Sequence, residues 1–159
     1  MKSGTAVSLT LAGLVWFTGS FAQSDTARPA SGRTWSLTRD GVSLQDADKS
    51  RRIAVTLPGW HWAGAPYGSS PDLVVGPQGE AIVTSDVAPV LWRIDPVTLS
   101  VSVHPLALEA DTGMDVGFAR LVYSREHEAY IGVSGQLGSV WVIDRALARA
   151  RKLDRASLR

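Results

Sequence analysis

From residue 34 onward, apolar and polar positions alternate with a period of two rather than 3.6. In "TWSLT" (34–38), Trp35 and Leu37 alternate with polar neighbours. A turn signal at Asp40-Gly41 follows, then "VSL", and "RRIAVTLPG" places Ile53, Val55 and Leu57 on one face before Pro58-Gly59. "DLVVGPQG", "EAIVTSD", "VLWRIDP" and "TLSVSVHPLAL" come next, each bounded by Gly, Pro or Asp. The last third runs through the same kind of series: "FARLVYSREH", "EAYIGVSG", "SVWVIDR" and "ALARARKLD". Short alternating runs punctuated by turn residues predict an all-β fold.

The series repeats. Glu80-Ala81-Ile82-Val83 aligns with Glu128-Ala129-Tyr130-Ile131 at an offset of 48, and Trp92-Arg93-Ile94-Asp95 with Trp141-Val142-Ile143-Asp144 at 49. That reading puts a one-residue insertion between the two stretches. A repeat of this length with four strands per unit is the signature of a β-propeller blade. Two full units are expected, over residues 72–106 and 118–153. A half unit over 33–57 matches only the third and fourth strands. Asp95 would supply the side-chain acceptor of the hairpin turn and Pro96 would preset its φ. Turn formation accounts for Asp95 and Asp144 without giving them a catalytic role. Trp92 and Trp141 would fill the gaps between neighbouring units.

"VLWRIDPVTLSV" and "SVWVIDRALARA" resemble the strand–hairpin–strand element of YVTN-type and gluconolactonase-type β-propellers, over roughly residues 35–153. The resemblance implies a partial propeller of four-stranded antiparallel blades; the alternative is a small β-sandwich or barrel. Closed rings generally need at least four blades, so two and a half would form an open arc. Each end would then expose an apolar face, covered by self-association or by another exported protein. Gluconolactonase-type propellers hold a metal through Glu, Asn and Asp side chains at a central channel. This chain contains no Asn and too few blades for that channel. The expected function is therefore a non-enzymatic binding or assembly module without a cofactor. A lactonase- or hydrolase-like enzyme is the alternative.

The beginning of the chain reads differently. Lys2 is the only charge before Asp25, the apolar run "AVSLTLAGLVWF" follows it, and Ser20 and Ala22 stand at minus three and minus one of a cut before Gln23. This is the pattern of a secretory signal peptide over residues 1–22, and the run is too short to span a bilayer. Residues 23–32 read as a disordered lead-in, 33–155 as the repeat domain and 156–159 as a frayed tail. The chain has 16 basic and 15 acidic residues. Loss of Lys2 with the leader leaves no net charge, and so no field to hold a nucleic acid. No cysteine is present, which removes disulfides, thiolate metal sites and a cysteine nucleophile. Export without disulfides fits a periplasm, with secretion as the alternative and no membrane attachment after cleavage.

Candidate chemistry gathers in the loops expected at one end of the strands, where a rigid scaffold usually carries function. Trp60, His61 and Trp62 form a "WHW" cluster that could stack on a ring or an apolar side chain. The alternative is that alternate members tuck inward and His61 faces solvent. Tyr67 shares that loop, and Asp86 lies in "SDVAP" (85–89). Glu109, Asp111 and Asp115 form an acidic run, but its spacing is not that of a calcium loop. His61, His104 and His127 have no spacing that sets zinc ligands on one face. "GVSGQ" (132–136) departs from the nucleophile elbow at its last position, and no helix is expected after it. The basic C-terminal stretch "RALARARKLDRASLR" reads first as an outer strand, its arginines facing solvent and protecting an edge.

Overall fold

Alternation along the sequence becomes three sheets, antiparallel but for one parallel edge pair in the third, in the computed structural model, which describes residues 26–27, 32–62, 70–109 and 117–153. The described residues are all-β, without a helix. The first sheet runs in the order β1 (Thr26–Ala27), β2 (Thr34–Thr38), β3 (Gly41–Gln45), β4 (Arg52–Thr56). The second runs β5 (Leu73–Val75), β6 (Ala81–Thr84), β7 (Val90–Ile94), β8 (Val101–Pro105). After the two-residue β9 (Ala107–Leu108), the third sheet runs β10 (Phe118–Ser124), β11 (Ala129–Ser134), β12 (Val140–Ile143), β13 (Arg149–Lys152). The expected signal peptide (1–22) and the tail (156–159) lie outside the described residues.

The second sheet is sandwiched between the other two, because successive side chains of a strand point to opposite faces. Leu73, Ala81, Val83, Trp92 and Ile94 share a core with Trp35, Val42 and Leu44 of the first sheet. From its other face, Ile82 and Leu91 share a second core with Leu121, Tyr130, Trp141 and Ile143 of the third. Trp92 and Trp141 occupy equivalent third-strand positions, and each fills the space against the preceding sheet. Burial of both is nearly complete, at 5% and 0% exposure.

Register corrects the sequence alignment. Ala81 pairs with Ile94 on β7, and the residue paired with Ile143 on β12 is Tyr130. The second strands therefore align at an offset of 49, so Ile82 corresponds to Ile131. Val74 pairs with Ile82, and Val122 with Ile131, which leaves the first strands at 48. The extra residue sits in the β10–β11 hairpin, not between the second and third strands. A one-residue slip moves a side chain to the opposite face, and the 48-residue alignment had placed Ile82 on Tyr130 across that divide.

Three further expectations change. The first unit has a second strand, β2, and residues 26–27 of the stretch read as a disordered lead-in form β1, with Thr26 opposite Ser36 and Ala27 opposite Trp35. "TLSVSVHPLAL" is not one strand. It breaks at buried Leu106, and β9 crosses to pair in parallel with β13 on the outer edge of the third sheet. Finally, the two end faces are not alike. The first sheet's outward face carries Thr34, Ser36, Thr38, Ser43, Gln45 and Arg52, with the Arg52 guanidinium donating to Ser43 Oγ at 3.0 Å. It is polar, and only the third sheet ends the stack with an apolar face.

The three outer hairpins close on the same backbone bond. The amide of Asp46 donates to Arg51 O at 3.0 Å, that of Asp95 to Ser100 O at 3.0 Å and that of Asp144 to Arg149 O at 3.1 Å. Asp95 Oδ1 accepts the amides of Val97 and Thr98, both at 2.8 Å, and Asp144 Oδ1 accepts that of Ala148 at 2.8 Å. These bonds hold the Asp95 carboxyl below the usual carboxylate range. Each hairpin turns through one residue at positive φ, namely Lys49, Leu99 and Leu147.

Candidate functional site

Pairing puts the first-sheet to second-sheet connection, the β6–β7 loop, the start of β10 and the β11–β12 loop at one end of the strands. Side chains and amides then tie them together. Trp60 folds back after Gly59, whose φ of 68° makes the turn, and its indole donates to Thr84 O at 3.1 Å. The Phe118 amide donates to Ser85 O at 2.7 Å. Ser85 Oγ accepts the amides of Val87 and Ala88 at 3.2 and 3.1 Å, closing the β6–β7 loop. Gly117, at φ 85°, packs so close to the Asp86 backbone that a Cβ there would strike its carbonyl.

Asp86 sits at the middle of this cluster. Its side chain is 2% exposed, and Oδ2 has no hydrogen-bond partner among the described residues. Burial raises its pKa above the ordinary carboxylate value, while a backbone hydrogen bond and the imidazole of His61 pull the other way. An unmatched buried carboxylate oxygen is costly unless something donates to it. Trp60 is buried and packs edge-on against half-buried Trp62, with ring centroids 6.4 Å apart. His61, between them, is exposed. The structure thus brings together Trp60, His61, Trp62 and Asp86. Tyr67, Asp111 and Asp115 lie outside the described residues.

Other candidates fall elsewhere. Glu109 is exposed beside β13, where its amide donates to Ala150 O at 3.0 Å. His104 is on β8, 2.9 Å from Ser102 Oγ, with its pKa lowered by burial and then by Arg93. His127 is exposed in the β10–β11 hairpin. Ser134 of "GVSGQ" is buried, and its Oγ accepts the Ser139 amide at 3.1 Å. No three His, Asp or Glu residues are grouped to hold a metal among the described residues.

Sequence reasoning missed two carboxylates that tie the second and third sheets together, half-buried Asp72 and buried Glu80. Asp72 joins the second and third sheets: its Oδ1 accepts the Leu73 amide and its Oδ2 the Leu121 amide, both at 2.9 Å. Glu80 is 3% exposed at the opposite end of the strands, where Oε2 accepts the Gln78 amide at 2.7 Å and Arg93 lies 3.5 Å from Oε1. The Tyr130 hydroxyl of the third sheet bonds to Glu80, and burial together with that carboxylate pushes the tyrosine pKa up. Position gave a hint only for Asp72, an Asp immediately before a strand. Glu80 becomes visible only once the two sheets are placed together. Comparison with protein-family models finds no match for this chain, and comparison with curated proteins finds none either.

Proposed function

We propose that the chain is an exported, non-enzymatic binding module with the architecture of an incomplete β-propeller, and that it recognises its ligand or partner through Trp60, His61, Trp62 and Asp86. The propeller reading draws support from three antiparallel meanders stacked in chain order, with hairpin aspartates at a constant spacing of 49 residues. The observation that carries the binding reading is Asp86. A carboxylate held at 2% exposure with one oxygen unmatched among the described residues suits a group that brings its own hydrogen-bond donor. The neighbouring Trp62 offers an aromatic face to the same group.

Capture from periplasmic extract with the mature chain tests this, with Asp86→Asn and Trp62→Ala run in parallel. The expected result is a partner or ligand retained by the parent and lost from both variants while their melting curves stay cooperative. Equal capture by all three would overturn the site. Retained metal after dialysis together with hydrolysis of a lactone panel would replace the module by a hydrolase.

A further inference from the structure

The outward face of the third sheet corresponds, row by row, to the second-sheet face that already receives a sheet. Across the second sheet one row runs Val74, Ile82, Arg93, Ser102. The corresponding row of the third runs Val122, Ile131, Val142, Arg151. The adjoining row pairs Thr84 with Leu91 in the second sheet and Val133 with Val140 in the third. Ile82 and Leu91 are fully buried beneath the third sheet. Their counterparts Ile131 and Val140 are only half-buried, and Val122 is 57% exposed. Val stands in place of Arg93 and Thr84, so the middle of the uncovered face is apolar, with Arg120 and Arg151 at its margins. One corner dips into a groove of about 340 Å³ in which Ala129 and Val142 are ringed by charged side chains, among them Glu109, Glu128, Arg149 and Arg151.

Both internal interfaces are made the same way. The incoming sheet brings an indole three residues before its hairpin Asp, Trp92 before Asp95 and Trp141 before Asp144. In the first sheet that position, three before Asp46, is Ser43 on a polar face. Among the described residues a second copy of this chain therefore has no indole-bearing end face to offer, and two third sheets face to face would bring none.

We propose that this face seats a four-stranded antiparallel sheet of the same repeat, carried by a partner polypeptide and presenting an indole three residues ahead of a hairpin aspartate. Loss of apolar contact with water drives the docking, as it does between the sheets within the chain.

Site-specific photo-crosslinking in the producing cells tests it. A benzophenone side chain is placed at Val122 or Val142, and at Thr38 on the first sheet's outward face as a control. Mass spectrometry of the adducts from both third-sheet positions should show a peptide of another protein with Trp three residues before Asp, and none from Thr38. Adding Val142→Glu to the Val122 probe should lower the adduct yield on the order of tenfold, as a charge facing the docked sheet would. Adducts with this same chain, adducts with peptides lacking that pattern, or none from either position would overturn the proposal.

Discussion

At the scale of single residues, the two intersheet tryptophans are equivalent in place but not in bonding. Trp92 donates to Pro58 O at 2.8 Å, whereas Trp141 Nε1 finds no acceptor among the described residues and its ring lies 5.7 Å from Lys152 Nζ. Replacing either by Ala should cost about 3–5 kcal/mol, as large aromatic deletions do, with the Trp92 variant the worse by the lost hydrogen bond. Denaturant unfolding measures both; losses below about 1 kcal/mol would mean that the indoles do not fill the gaps. Asp86 supplies a pH test. Its folded pKa is raised, so the stability its protonated form contributes is present below the ordinary carboxylate pKa and lost as pH rises through the folded value. Asp86→Asn keeps a neutral side chain at every pH. Its melting temperature should gain on the parent's as pH rises from the ordinary carboxylate pKa through the raised folded value, and a constant gap would refute the buried-carboxylate reading. "WHW" was legible as an unusual cluster, and Asp86 as a loop acid. That Asp86 is buried was not legible, because what packs against its backbone is Gly117, distant in sequence.

Within the elements, the sequence carried the strands well and their registers less well. Alternation and bounding turn residues located β5 to β8 and β10 to β13, although β6 and β7 face a core on both sides. It misplaced the extra residue of the third sheet, since "EAIV" and "EAYI" match by identity in the wrong register, and only pairing reveals which face each residue takes. It also joined β8 to β9, because nothing local distinguishes a strand that continues from one that leaves for the next sheet. The shared hairpins offer a test at this scale. Lys49 is exposed at φ 61°, a conformation that costs an L-residue roughly 1–2 kcal/mol. Glycine removes that cost but gives back about 0.4–1 kcal/mol through a freer unfolded chain. Lys49→Gly should thus stabilise by roughly 0.5–1 kcal/mol, the difference between those terms. Leu147 has a similar φ of 58° but is buried in the second core, so Leu147→Gly should destabilise despite relief of the same strain. Paired chemical denaturation of the two variants checks the opposite signs.

On the scale of the whole molecule, the described residues form a short one-dimensional array in which each sheet packs on its neighbours in chain order. Stability in such arrays is close to a sum of unit terms and nearest-neighbour interfaces. The second sheet has two interfaces and the others one each among the described residues. Every residue of β6 is buried, and β7 alternates into both cores. Outer strands differ: β4 exposes every other residue, and β8 is nowhere buried. Amides opening only with the whole stack should therefore lie in β6 and β7, while those of β4, β8 and β13 exchange through smaller local openings. Hydrogen exchange with mass spectrometric readout measures the order directly. Weakening the interface with the first sheet by Trp92→Ala should speed exchange in β2 and β3 more than in β11 and β12, because the third sheet's contact with the second runs through the opposite face. If β11 and β12 lose protection equally, the chain unfolds as a single unit and the faces of the middle sheet are not separable. That outcome would exclude the layered account of its stability.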